Sequence, residues 1–195
     1  SEWIASDDTW RAQHGPILFD NVFMGETYDA RRLDPDWASE GFNDSKWARA
    51  EIMENPGGHL VEQQLEPMRK TRKLVPAAIL EADDGWIVDM GENMTGWLEL
   101  SINEAEGTAV KVRFAEHLMP DGKSIDTAST GIHATGGEQV DIYISGGSGV
   151  ETYEPRFTYH GFQYAQITGL SRAPTVDDVT GWWVMTDVDR IGSFE

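Results

Sequence analysis

Polar and apolar positions alternate with a period of two along most of the chain after residue 60. In "WLELSI" (97–102), Leu98, Leu100 and Ile102 share one parity, and Trp97, Glu99 and Ser101 the other. "VKVRFAE" (110–116) sets Val110, Val112 and Phe114 against Lys111 and Arg113. "WIVDM" (86–90) aligns Trp86, Val88 and Met90, and "VDIYIS" (140–145) aligns Val140, Ile142 and Ile144 as its expected core face. This period belongs to strands with one buried face. Turn dipeptides separate the segments: Asp84-Gly85, Glu106-Gly107, Asp121-Gly122 and Gly146-Gly147. Many short strands with no sustained helical period predict an all-β fold, an antiparallel β-sandwich.

Two stretches break the rhythm. "FTYHGFQY" (157–164) carries Phe157 and Tyr159 on one parity and Phe162 and Tyr164 on the other. Either that strand is buried on both faces, or an extra residue at His160-Gly161 resets its register; all four aromatics are expected in the core. The first sixty residues are less patterned, and "NDSKWARA" (43–50) predicts one short helix capped by Asp44 or Ser45.

The 195 residues suffice for one full core. A net charge of −19, from 34 acidic against 15 basic residues, repels phosphate backbones and anionic lipid, so neither nucleic acid nor membrane is an expected partner. Lack of cysteine removes disulfides, thiolate nucleophiles and thiolate metal sites. Both ends fall within ordinary folded-protein sequence, which reads as an excised module. Residues 1–10 are expected to be the tail of a preceding domain or linker, 11–190 the module, and 191–195 the start of a connection onward.

Several apparent motifs dissolve on inspection. "DGKS" (121–124) ends like a phosphate-binding loop, but His117 stands where its first glycine belongs. The histidines at 14, 59, 117, 133 and 160 share no zinc-site spacing. "MRKTRK" (68–73) reads as a solvated edge or connector. More informative are "FDNVFMGETYDAR" (19–31), with Asp20, Asn21, Glu26, Asp29 and Arg31, and "DMGENMTGW" (89–97), with Asp89, Glu92 and Asn93. Carboxylate and amide oxygens on loops suit Ca²⁺, which takes about six to eight oxygens, and they suit sugar hydroxyls as well. The same residues also fit an Asx turn at Asp20-Asn21 and an ion pair from Glu26 or Asp29 to Arg31.

"GETYDAR" (25–31), "GFNDSKW" (41–47), "DMGENMTGW" (89–97), "VRFAEHL" (112–118), "GEQVDIYISGG" (137–147) and "EPRFTYHGFQYAQITG" (154–169) resemble, in this order, blocks of bacterial α-L-rhamnosidases. The resemblance implies a jelly-roll, concanavalin-like β-sandwich upstream of a catalytic (α/α)₆ barrel whose acidic motif this chain does not resemble. It further implies a rhamnose-binding module like those of carbohydrate-binding module family 67, with Ca²⁺ as cofactor. Asp20 and Asn21 would hold both Ca²⁺ and sugar, Trp37 or Trp47 would supply an aromatic platform, and Asn93 is a further sugar-binding candidate. The implied partners are L-rhamnose or a rhamnose-containing polysaccharide and the catalytic domain of a parent enzyme, in a secreted or periplasmic setting. The competing readings are a structural spacer sandwich with no ligand of its own and an autonomous glycosidase, which would need two suitably spaced carboxyl groups.

Overall fold

The computed structural model describes residues 5–189 and 191–193, so parts of the expected flanks (1–4, 194 and 195) lie outside the described residues. Strands β1 (Arg11–Ala12), β2 (Ile17–Asn21), β3 (Gly25–Asp29) and β4 (Ala48–Arg49) come first. After an exposed connection come β5 (Met68–Leu74), β6 (Ala78–Glu81), the long β7 (Trp86–Ile102) and β8 (Ala109–Ala115). A small hairpin, β9 (His117–Leu118) and β10 (Ile125–Asp126), precedes β11 (Val140–Ile144), β12 (Glu151–Tyr153), β13 (His160–Thr168) and β14 (Val179–Thr186). The helical elements among the described residues are short 3₁₀ turns, and no helix there is long and apolar enough to cross a membrane.

Ten strands make one curled sheet in the order β2-β3-β11-β8-β13-β7-β14-β5, with β6 and β12 also paired to β7. Pairing is antiparallel throughout this sheet except between β11 and β3, which run parallel. The expected all-β sandwich is therefore what the chain forms.

β7 is the hub. Its first residues pair with β6 and β13, and its last with β14 and β12. Between those halves, Met90, Gly91, Glu92 and Asn93 stand opposite Gln163 alone. This bulge turns the strand from one wall of the sandwich to the other. Gly91 adopts φ 78°, a left-handed conformation suited to glycine. The Asp89 carboxylate accepts the Gly91 N–H at 2.7 Å and the Gln163 amide at 3.1 Å, bracing the corner.

The core lies between the walls. Leu98, Leu100 and Ile102 of β7 meet Val110, Val112 and Phe114 of β8, Phe162 and Ile167 of β13, and Val179 of β14. A smaller cluster of Ile87, Ala115 and Ile125 fills the opposite face of the first wall. Each fully buried side chain of this size contributes about 1.5–3 kcal/mol.

Three sequence expectations are corrected. In "FTYHGFQY" the strand begins only at His160, so Phe157 lies in the connector and is 60% exposed. Tyr159 and Tyr164 are half-buried, and Phe162 alone of the four is fully enclosed. The register shift falls at Gln163 with its extra residues in β7, not at His160-Gly161. "NDSKWARA" forms no helix: Asn43 Oδ1 accepts the Ser45 N–H at 3.1 Å, and Ala48–Arg49 pairs with β1 instead. In β11 the buried parity is Asp141 and Tyr143, continuing to Ser145, while Val140, Ile142 and Ile144 are half-buried. Apolar patterning points the wrong way there because the inner face is a polar network.

Phe162 packs edge-on against Phe114 with centroids 4.8 Å apart. Phe162→Ala should therefore cost about 3–5 kcal/mol, and Phe157→Ala within about 0.5 kcal/mol of nothing. Urea denaturation midpoints of the two variants would invert that order if the strand began at Phe157.

Candidate functional site

Asp20 and Asn21 end β2 at the turn into β3. Asn21 Oδ1 accepts the N–H groups of Phe23 at 3.0 Å and Met24 at 3.1 Å, which closes an Asx turn. Both lone pairs of that oxygen are engaged, leaving its amide NH₂ to face outward chemistry. The Asp20 carboxylate is exposed, with no hydrogen-bond or ion-pair partner among the described residues.

The other nominated residues lie apart. Trp37 is 59% exposed in a turn closed by its N–H to the Asp34 carbonyl at 3.3 Å. Trp47 is half-buried against Phe42, with centroids 5.4 Å apart. Asn93 sits exposed in the β7 corner, and four strands separate β7 from β2 in the sheet order. Among the described residues no cluster of three or more His, Cys, Asp or Glu side chains is arranged to hold a metal ion.

The remaining residues of the "GETYDAR" block have structural partners. Asp29 takes Arg31 in a fork, Nε at 2.8 Å and Nη2 at 2.9 Å, and this pairing holds its carboxyl below the usual range. Glu26 is fully buried and turns the other way. Its carboxylate accepts the Tyr153 hydroxyl at 3.3 Å and the Arg156 N–H at 3.0 Å, while its own N–H donates to Asp141 at 3.0 Å. Both oxygens of the buried Asp141 lie 3.1 Å from His160 Nε2. Burial pushes the Glu26 carboxyl up, and the charge on Asp141 adds to that. Asp141 was not singled out in the sequence, and His160 was read only as a bulge position and as one of five histidines without zinc-site spacing. The signal was weak: Asp141 lies on the polar parity of its strand, and His160 stands ahead of a glycine in an aromatic run.

Glu151 anchors a second polar node. It accepts from the Ser145 hydroxyl at 2.7 Å, the Tyr143 hydroxyl at 3.1 Å, the Gly146 N–H at 3.1 Å, and the Ser148 N–H and hydroxyl at 3.2 and 2.9 Å. Burial raises its pKa, but the hydrogen bonds outweigh burial and hold the carboxyl below its ordinary range.

The basic island "MRKTRK" is an edge strand, as expected, and its cations are placed on aromatic rings. Lys70 lies 4.5 Å from the Trp182 centroid and 5.8 Å from that of Trp97, and pairs with Glu154. Arg72 covers Trp183 at 4.4 Å and bonds Glu92 at 2.8 Å. The indole N–H groups of Trp97 and Trp182 donate to Glu154 at 3.0 Å and Glu99 at 2.9 Å.

This curled sheet, with one long strand bridging both walls, defines a concanavalin-like β-sandwich domain. Residues 80–185 match the family described as "Bacterial alpha-L-rhamnosidase concanavalin-like domain", and residues 1–72 match "Alpha-L-rhamnosidase N-terminal domain". The chain belongs to the family of bacterial α-L-rhamnosidase concanavalin-like domains. It is 40% identical over 191 residues to an α-L-rhamnosidase of Formosa agariphila, covering 97% of this chain and 20% of that protein. A solved α-L-rhamnosidase from Streptomyces avermitilis, complexed with L-rhamnose, superposes with a TM-score of 0.87 at 38% identity, over 94% of this chain and 18% of that one. The native Aspergillus terreus enzyme matches with a TM-score of 0.86 at 29% identity, over 98% and 22%. The chain thus spans about a fifth of the length of these relatives.

Glu26 and Glu151 should respond oppositely to pH. A carboxyl raised by folding contributes stability below its ordinary value of 4.5, and this is lost as pH rises through its raised folded value. The lowered Glu151 contributes above that ordinary value, and its contribution is lost as pH falls through its folded value. Relative to the parent, Glu26→Gln should gain stability as pH rises above 4.5, and Glu151→Gln should close its deficit as pH falls below 4.5. Urea unfolding across both sides of that value checks the pair; parallel curves for all three proteins would contradict it.

Proposed function

We propose that the chain is the non-catalytic β-sandwich portion of an α-L-rhamnosidase that releases L-rhamnose from glycans outside the cytoplasm, as a secreted or periplasmic enzyme. The observation that carries this reading is the use of its three buried carboxylates of perturbed pKa. Glu26, Asp29 and Glu151 commit their oxygens to partners inside the fold. Glycoside cleavage needs two carboxyl groups flanking the scissile bond, and these three are held as ties of the sandwich. The module's role is a rigid wall on which the catalytic domain of the parent enzyme is mounted. The purified chain should leave an aryl α-L-rhamnoside intact while the parent polypeptide hydrolyses it. Turnover by the chain alone, lost on carboxylate substitution within it, would overturn the assignment.

A second reading, calcium-dependent binding of terminal L-rhamnose as in carbohydrate-binding module family 67, is favoured by Asp20. Its unpartnered carboxylate stands exposed beside a turn that Asn21 locks. In this reading Asp20 ligates Ca²⁺ with backbone carbonyls, waters and sugar hydroxyls. Asn21 contributes its amide donor, and exposed Trp37 fits a sugar-stacking role better than Trp47, whose ring is engaged by Phe42. Asn93 belongs to this site only if glycan reaches the β7 corner. A monosaccharide at ~0.3–0.5 kcal/mol per non-hydrogen atom binds at roughly millimolar to tens of micromolar. Calorimetric titration of L-rhamnose should give heat with Ca²⁺ and none with a chelator or with Asp20→Ala. Equal heat from Asp20→Ala and the parent would remove this reading and leave the first intact.

A further inference from the structure

A cleft of about 540 Å³ opens where β3 runs into the Ala30–Arg32 turn and the β11–β12 connection folds over it. That volume lies within the roughly 300–1,000 Å³ typical of small-molecule sites. Tyr28, Arg31, Glu106, Ser148 and Val150 line it, backed by Tyr143.

Its polar groups are held in place from behind. Asp29 grips Nε and Nη2 of Arg31, fixing the guanidinium plane; Nη1 makes no hydrogen bond among the described residues and feels the nearby charge of Glu106. Glu151 fixes Tyr143 and both polar atoms of Ser148. The half-buried Tyr28 stacks on Tyr143 with centroids 5.8 Å apart, and its hydroxyl has no hydrogen-bond partner among the described residues. Glu106 is exposed, with a carboxylate free of hydrogen bonds and ion pairs among the described residues.

Arg31 and Glu106 offset each other on the cleft wall, Glu151 behind Ser148 adds negative charge, and the chain's −19 disfavours an anion further. A donor, an acceptor and hydroxyls around phenol and aliphatic surface suit a ring bearing adjacent hydroxyls, each of which gives and receives a hydrogen bond. We infer that this cleft is a metal-independent subsite for a neutral sugar residue of the glycan that the parent enzyme handles. It rests on the α-L-rhamnosidase reading for the ligand's class. It is separate from the Asp20 turn, because the protein supplies both donor and acceptor here without a cation.

The test is an amide NMR titration of the full chain with methyl α-L-rhamnoside, a chelator present throughout to silence any calcium-dependent binding. Saturable shifts are expected at Arg31, Gly107, Ser148 and Val150, and none with glucuronate. Glu106→Ala and Arg31→Met should each weaken binding by about tenfold or more, the scale of one hydrogen bond to a charged group. Glu106 is exposed, so its variant keeps the fold and keeps the test decisive even if Arg31→Met does not. Absent cleft shifts, unchanged affinity in Glu106→Ala, or equal response to glucuronate would each overturn the subsite. The enzyme reading fails separately, if the parent polypeptide does not cleave rhamnosides.

Discussion

The carboxylate of Asp141 is the tie on which the sandwich depends. It receives the Glu26 N–H and the His160 imidazole at one buried point, joining β3, β11 and the start of β13. β3 precedes β11 and β13 by more than a hundred residues, and it meets β11 in the sheet's one parallel pairing among the described residues. Burying such groups is costly, but leaving the carboxylate unpaired costs more, so the register that brings these three groups together is strongly selected, although His160 Nδ1 is buried there without a hydrogen-bond partner. Gly25 makes the approach possible. A Cβ there would lie 1.8 Å from the Val140 carbonyl oxygen, and its φ of 117° suits only glycine. The Gly-Glu pair of "GETYDAR" is thus one device: the glycine admits the neighbouring strand, and the glutamate reaches inward to receive Tyr153 and Arg156.

The β7 corner works with that tie. The bulge lets one strand line both walls, and Met90 within it reaches the bare backbone of Gly181, where a Cβ would come within 2.5 Å of its Cε. Outside, Arg72 bridges from β5 to Glu92 in the same corner. The corner reads as a place where the walls are fastened together from within and without.

Strands with one apolar face were legible: Leu98, Leu100 and Ile102, and Val110, Val112 and Phe114, are buried on the parity their alternation predicts. So were the turns, because glycine chemistry is local. Where tertiary context overrides local pattern, the sequence misled. β11 buries Asp141 and Tyr143 because their partners arrive from β3, β12 and β13, which no local window contains. The aromatic run at 157–164 looked like one strand because its first residues lie in a connector with strand-like composition. At Asp20-Asn21 the sequence located the turn and left two uses open; the Asx turn is formed, and the exposed acid beside it is what remains for a ligand. The Arg31 cleft was not visible at all, since Tyr28, Glu106 and Ser148 converge only once the sheet has curled.

β5 closes the sheet at one end, and a terminal strand offers unpaired backbone groups to any passing chain. Its side chains include Arg69, Lys70, Arg72 and Lys73, four cations in a molecule otherwise dominated by acids. A second copy attempting to extend the sheet there would set these cations against their own kind. The lysine and arginine that cover the tryptophans of β14 thereby also guard this border of the sheet.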